Sequence, residues 1–165
     1  MAIADALLPE FDHETGTTRK LLERVPDGKF DWKPHAKSMS LGQLASHLAT
    51  MISWGTMTLK QSEVDLSGPF TPPAIGTRAE LLATFDRETA AARASLAAAS
   101  DADFMAPWSL KRDGKTLFTM PKVAVMRSFV MNHMIHHRGQ LSVYLRLHDV
   151  PVPSIYGPSA DEATF

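Results

Sequence analysis

Hydrophobic residues recur at helical spacing in four long segments of the chain. Spacings of three or four residues place side chains on one face of an α-helix, so each segment is predicted to form an amphipathic helix. The stripe of the first segment, which ends at the turn-forming residues 26–28 (PDG), consists of Ile3, Leu7, Phe11, Thr18, Leu22 and Val25. The stripe of the second segment consists of Leu41, Leu44, Leu48, Met51 and Trp54.

Local signals predict where the later helices begin and end. Ser40 with Gln43, and Thr77 with Glu80, have the spacing of capping boxes, in which two side chains satisfy free backbone N–H groups. From Thr77 the third helix runs through an alanine-rich stretch to about Ser100. The fourth is expected to begin near residue 119, with a proline in its first turn, and to end near residue 148.

Four amphipathic helices without long strands predict an all-α four-helix bundle, and residues 1–165 are predicted to form one domain. The first two connections are long and rich in Pro, Gly and Ser, which is typical of functional loops or of chain that crosses a bundle. Between the third and fourth helices, Asp113 and Gly114 separate two short apolar runs and indicate a β-hairpin. The tail from residue 151 is expected to be irregular.

The composition excludes several classes of function. The 165 residues include 17 Lys and Arg against 18 Asp and Glu, which argues against a nucleic-acid or acidic-membrane partner because those surfaces bind clustered basic residues. No apolar stretch reaches the ~18 residues that a membrane-spanning helix needs, and the N-terminus does not resemble a signal peptide. The chain has no cysteine, which removes disulfides, thiolate ligands and cysteine nucleophiles. A soluble cytoplasmic protein is therefore expected.

Two histidines of the fourth helix have the spacing of paired metal ligands. His133 and His137 are four residues apart, so they lie one turn apart on the same helix face. This spacing lets two imidazoles bind one ion at the ~2.0–2.1 Å typical of zinc–nitrogen bonds. The pair falls on the predicted buried face, which consists of Met126, Val130, His133, His137, Leu141 and Tyr144. His136 is rotated away from that face and is a less suitable ligand.

His47 is the predicted third ligand, because it lies on the buried face of the second helix beside Leu44 and Leu48. Three histidines on two facing helices leave coordination positions open, as in catalytic rather than structural metal sites. Neutral imidazoles suit zinc, nickel, copper or iron, and the sequence does not choose among them. A hydrogen-bonded set of core histidines is the alternative, although a metal would satisfy all three rings at once.

Other polar residues carry weaker signals. Glu10 and His13 form a Glu-x-x-His pattern, but di-iron sites need two such units, and His13 lies off the buried stripe. No His-Glu-x-x-His, P-loop or Gly-x-Ser-x-Gly motif is present. His35 and His148 are expected to be exposed at a loop and a helix end. Arg138 is suited to pair with an anionic substrate or with a surface carboxylate, and the second interpretation is favoured.

Four segments of the chain form a specific combination. They are residues 32–35 (WKPH), 38–47 (SMSLGQLASH), 132–141 (NHMIHHRGQL) and 151–162 (PVPSIYGPSADE). Together they resemble the DinB family, part of the DinB/YfiT-like superfamily of metalloenzymes. The resemblance implies a bundle of up-down-down-up topology whose second connection crosses it. It also implies a homodimer and a divalent metal ion, most often zinc or nickel, held by His47, His133 and His137.

Some members of this family are thiol-dependent S-transferases or isomerases that use bacillithiol, mycothiol or glutathione. The leading hypothesis is therefore a metal-dependent S-transferase that acts on a small molecule, with a low-molecular-weight thiol as cosubstrate. No general acid or base is identified. The alternatives are a non-catalytic metal-binding module of a stress response and a metal-dependent hydrolase. Phe70, Trp108 and Tyr156 are expected to cover a pocket near Trp54.

Overall fold

The computed structural model describes residues 2–68 and 75–163, most of which are helical. The helices are α1 Ile3–Leu22, α2 Leu41–Met51, α3 Ser53–Lys60, α4 Arg78–Ala98, α5 Asp101–Met105, α6 Lys122–Val125 and α7 Asn132–Arg146, with a 3-10 turn at Asp27–Lys29 and a π-helix at Met126–Met131. The strands are β1 Glu63–Asp65, β2 Pro107–Arg112 and β3 Lys115–Pro121. No helix of the described residues has the length and hydrophobicity to cross a membrane.

Both predicted capping boxes are present, at the starts of α2 and α4. The Ser40 hydroxyl accepts a hydrogen bond from the backbone N–H of Gln43 at 3.1 Å, and the Gln43 side chain accepts one from the backbone N–H of Ser40 at 2.8 Å. Thr77 and Glu80 form the same reciprocal pair. The second predicted helix is interrupted at Ile52, so it consists of α2 followed by α3.

A small mixed sheet departs from the predicted all-α class. β2 and β3 form the predicted hairpin, and its turn residues Asp113 and Gly114 have positive φ angles of 52° and 73°, which aspartate and glycine tolerate. β1 joins this hairpin in parallel with β2. Trp108, Leu110 and Val125 form a separate buried cluster beside the sheet. The all-α prediction missed β1 because three residues are too few for a reliable alternation signal and because their partner strand is distant in sequence.

The fourth predicted helix starts later than expected and contains the π-helix. β3 continues to Pro121, so the helix begins at Lys122. A π-helical turn takes up extra chain, which rotates the residues that follow it relative to an uninterrupted α-helix. The buried residues of α7 are consequently Met134, His137, Arg138, Leu141 and Leu145, whereas the expected His133 and Tyr144 are only half-buried.

Helices α1, α2, α4 and α7 enclose the main core. α2 packs against α4 and α7, and α1 packs against the same two helices. Side chains from all four are almost completely buried, among them Phe11, Leu44, Leu48, Phe85 and Leu141. Full burial of a side chain of this size contributes about 1.5–3 kcal/mol, so these contacts hold α2 firmly against α7. That contact is what brings histidines of the two helices face to face.

The tail contains no helix or strand within residues 151–163, as expected, yet hydrogen bonds anchor it. The Asp161 carboxylate accepts a hydrogen bond from the backbone N–H of Val152 at 2.8 Å, and the Glu162 carboxylate accepts one from that of Ser154 at 2.9 Å. Glu162 also forms an ion pair with Arg24 just after α1. Asp161 forms an ion pair with Arg146 at the end of α7, so the two acidic residues of the tail hold it against the helices.

Candidate metal centre

The structure brings His47, His133 and His137 together between α2 and α7. One ring nitrogen from each lies within 4.8 Å of those of the other two. His137 Nε2 lies 2.8 Å from His133 Nε2, and His47 Nε2 lies 3.5 Å from the same atom. His47 and His133 are half-buried, and His137 is 9% exposed. In the described residues, this is the one group of three or more His, Asp or Glu side chains close enough to share an ion.

A hydrogen bond at the outer ring nitrogen of His137 orients this imidazole. His137 Nδ1 lies 2.8 Å from Gln140 Oε1, a carbonyl oxygen that can only accept, so Nδ1 carries the proton. Such bonds commonly set the tautomer of metal-binding histidines. The His137 ring therefore directs an unprotonated Nε2 towards the centre of the cluster.

This donor set fits a divalent metal ion. The Nε2 atoms of His137 and His133 lie 2.8 Å apart, and His47 Nε2 adds a third ring nitrogen 3.5 Å from that of His133. A proton shared within the cluster could join only one pair, whereas a cation could accept lone pairs from all three rings. Imidazole nitrogens are ordinary ligands of zinc, nickel, copper and iron. The three histidines could therefore hold such an ion.

The electrostatics of the cluster keep the rings neutral, as metal ligation requires. Burial, helped by the neighbouring His137 and His133, lowers the pKa of His47 from 6.5 to about 4. Burial likewise lowers the pKa of His133 and of His137, although hydrogen bonds to Phe129 and Gln140 partly oppose the effect. All three imidazoles therefore stay unprotonated at neutral pH and for some distance below it.

A cavity of about 550 Å³ opens beside the histidines. Its lining consists of His47, Met51, Trp54, Leu66, Gly68, Leu110, Arg112, Phe129 and His133. Two of the three clustered histidines thus form part of its wall, and most other lining side chains are apolar. Ligand sites for small molecules commonly have this character, with an apolar lining and a few polar groups.

The aromatic residues expected to cover the pocket have different positions. Trp54 lines the cavity, but Trp108 is buried behind it, with ring centroids 6.4 Å apart. Tyr156 lies elsewhere, with its hydroxyl on Glu14 of α1 at 2.8 Å. Phe70 falls outside the described residues. The prediction for Trp108 and Tyr156 as lining residues is therefore wrong, because the sheet and the tail anchors direct both side chains away.

Arg138, next to His137, has an internal partner. Its side chain is 1% exposed, and its Nη2 lies 2.7 Å from Oε2 of Glu14, whose side chain is 6% exposed. The Tyr156 ring lies 5.0 Å from the guanidinium carbon. The partner is thus a carboxylate, as favoured from the sequence, but it is buried rather than at the surface. This contact joins α7, α1 and the tail on the side of α7 that faces the core.

The remaining histidines do not join the cluster. His136 is exposed, as its rotation on the helix predicts, and so are His13 and His35. Glu10 of the Glu-x-x-His pattern forms an ion pair with Arg127. His148 is half-buried against the Trp32 ring, with centroids 4.3 Å apart, so its expected exposure is wrong.

Sequence patterns missed two polar residues of the site. Gln140 is three residues after His137, one helical turn away, and that spacing is a signal that could have identified it. Arg112 enters the cavity wall from the end of β2, and no short-range pattern connects it with residues on α2 and α7.

The family model for DinB matches residues 2–164. The chain belongs to the DinB family. Among its relatives in Bacillus subtilis (strain 168), the uncharacterized protein YrdA is 25% identical over 158 residues, which cover 96% of this chain and 90% of YrdA. The uncharacterized protein YjoA is 24% identical over 152 residues, which cover 88% of this chain and 91% of YjoA.

Solved structures of DinB-like proteins share the fold. A DinB-like protein from Bacillus cereus ATCC 10987 superposes with a TM-score of 0.72 at 24% identity, covering 94% of this chain and 98% of that one. The structure of YjoA from Bacillus subtilis gives a TM-score of 0.69 at 21% identity, covering 88% of this chain and 95% of that one. At this level of identity the likeness shows the fold alone.

Proposed function

We propose that this DinB-family protein is a metal-dependent enzyme in which His47, His133 and His137 hold a divalent ion, zinc or nickel. The observation that carries the proposal is the convergence of their Nε2 atoms, at 2.8 Å and 3.5 Å, in the wall of a cavity. Three protein ligands leave coordination positions for other molecules, as in catalytic zinc sites. When bound, the ion would act as a Lewis acid that lowers the pKa of a thiol or of water.

We propose thiol-dependent S-transfer to a small molecule as the reaction. The sulfur of a low-molecular-weight thiol forms a bond to an electrophilic carbon, the leaving group departs with the electron pair, and the thiol proton passes to water. The apolar cavity would hold the electrophile and exclude water from it. Gln140 would keep the His137 ring oriented towards the site.

Metal-loaded protein incubated with 1-chloro-2,4-dinitrobenzene and each of glutathione, cysteine and bacillithiol tests this activity. We expect thioether formation that is lost in His47→Ala and retained in His136→Ala, since His136 is exposed and outside the cluster. No turnover above the His47→Ala rate with any of these thiols would contradict S-transfer. Hydrolysis of p-nitrophenyl acetate without thiol would instead support the metal-dependent hydrolase.

A non-catalytic metal-binding module is the second candidate. The observation in its favour is that no Asp or Glu lines the cavity in the part of the chain that the structure describes, so no carboxylate acid or base stands beside the histidines. In that case removing the metal would lower the thermal midpoint of unfolding, because a ligand of the native state stabilises it by mass action, while no substrate is consumed.

Several features stay predictions from the sequence. They are the up-down-down-up bundle with its crossing connection, the single domain, the cytoplasmic location, the homodimer, and the absence of nucleic-acid and membrane partners. Size-exclusion chromatography with light scattering would test the homodimer directly, and a molecular mass near 18.1 kDa would contradict it.

A further inference from the structure

The cavity beside the histidines contains one cationic side chain and no anionic one among the described residues that line it. Arg112 lies at the end of β2, and the other contributors apart from the histidines and Gly68 are the apolar side chains of Met51, Trp54, Leu66, Leu110 and Phe129. A lone charged group in an apolar wall commonly fixes the orientation of a ligand that carries the opposite charge.

Arg112 has no carboxylate partner within residues 2–68 and 75–163, although the preceding residue Lys111 does. Lys111 Nζ lies 2.7 Å from Glu63 Oε2. The Asp65 carboxylate accepts hydrogen bonds from the backbone N–H groups of Gly114 at 3.0 Å and Ser67 at 2.9 Å, so it is engaged by the hairpin turn. The segments outside the description contain no Asp or Glu.

The strand opposite places a second positive charge beside Arg112. Arg112 is paired in register with Lys115 of β3, and both are exposed. Like charges directly opposite each other on neighbouring strands destabilise a sheet. An anion bound at Arg112 would relieve that repulsion, so the two side chains together favour an anionic ligand.

We propose that Arg112 binds the carboxylate of a small molecule whose apolar part lies against Trp54, Leu110 and Phe129. The planar guanidinium can donate two parallel hydrogen bonds to a carboxylate, which gives it both affinity and orientation. This inference deepens the proposed S-transfer, since the carboxylate belongs either to the electrophile or to the thiol. In both cases it orients a reactant within the cavity that His47 and His133 also line.

Binding of matched acid and amide probes tests the proposal without any turnover. Isothermal titration of metal-free protein would compare 1-naphthoate with the neutral 1-naphthamide, so that a carboxylate bound by the metal cannot contribute. We expect the acid to bind about tenfold more tightly, as a charge-assisted hydrogen bond allows. Arg112→Gln should abolish this preference, Arg112→Lys should retain part of it, and the exposed control Arg87→Gln should retain all of it.

A second pair of probes identifies which reactant carries the acid. N-acetyl-S-benzylcysteine and its amide represent the thiol side, and the naphthyl pair represents the electrophile side. If either pair shows tighter binding of the acid than of the amide, and Arg112→Gln removes that difference, the proposal is supported. The pair that shows the difference identifies the reactant that carries the carboxylate. No preference in either pair, or equal weakening of acid and amide by Arg112→Gln, would overturn it.

The same variants separate this inference from the proposed function. Arg112 is not one of the clustered histidines, so Arg112→Gln should keep the metal content and the unfolding midpoint of the native protein. If S-transfer occurs, the variant should raise KM for the acidic reactant more than it lowers kcat. If no transfer is found, the titrations alone still decide whether Arg112 binds a carboxylate.

Discussion

Replacing Gln140 by alanine tests whether the orientation of a histidine ring controls the metal site. The Gln140 side chain is the acceptor for the Nδ1 proton of His137, at a distance of 2.8 Å. In Gln140→Ala that proton loses its partner, the His137 ring can rotate, and the tautomer with the proton on Nε2 becomes accessible. That tautomer cannot bind a metal through Nε2.

The size of the effect follows from the exposure of the side chain. Removing an outer partner of a metal-binding histidine typically weakens metal binding about 10–100-fold, which is roughly 1.4–2.8 kcal/mol. Gln140 is exposed, so water can replace it as an acceptor. We therefore expect the lower end of this range, about a tenfold rise in the Kd for zinc.

Competition with a chromophoric zinc chelator would measure this Kd. Gln140→Glu keeps an acceptor at the same distance and should bind zinc at least as tightly as the native protein. Gln61→Ala is a matched control, because Gln61 is exposed, and should leave the Kd unchanged. A folded Gln140→Ala variant whose Kd lies within about twofold of the native value would refute the assigned proton position, since the expected loss is larger.

Three further predictions concern stability. Between pH 6.5 and about 4, His47 is protonated in the unfolded chain but stays neutral in the folded protein, so metal-free protein should lose stability as the pH falls through this window. Urea unfolding at several pH values should show a smaller loss of stability in His47→Ala. Equal losses in the two proteins would contradict the lowered pKa of His47. Glu14→Ala leaves the buried Arg138 guanidinium without its carboxylate and should cost about 3–5 kcal/mol in urea unfolding, whereas a cost under about 1 kcal/mol would contradict the internal ion pair. A Cβ at Gly42 would lie 2.6 Å from the Phe30 ring, so Gly42→Ala should destabilise the protein by about 1–3 kcal/mol. Gly16 lies in mid-helix with open space around it, so Gly16→Ala should stabilise the protein by about 0.5–1 kcal/mol in the same assay. Equal effects of the two substitutions would contradict the tight packing at Gly42.

Features encoded by nearby residues could be predicted from the sequence. The capping boxes of Ser40 with Gln43 and of Thr77 with Glu80 depend on residues three apart, and both are present. The Asp113 turn is likewise local. The proximity of the three histidines followed from two helix faces and one assumption, namely that α2 and α7 are neighbours. Whether these histidines ligate a metal stays a prediction.

Features that depend on long-range contacts or on an irregular helix could not be predicted. The π-helix shifts the buried face of α7, so that Arg138 faces the core and His133 lies at its edge. Glu14 continues the stripe of Leu7 and Phe11 at helical spacing. Because a buried carboxylate is almost always paired, its position in that stripe could have indicated an internal cationic partner. The identity of that partner, far away in sequence on α7, required the structure.

Metal content is the most direct test of the account. The native protein and the variants His133→Ala and His136→Ala would be purified without a metal-affinity step and examined by inductively coupled plasma mass spectrometry. We expect one divalent ion per chain in the native protein and in His136→Ala, and almost none in His133→Ala. Equal metal content in the two variants, or none in native protein after addition of zinc and nickel, would contradict the three-histidine centre.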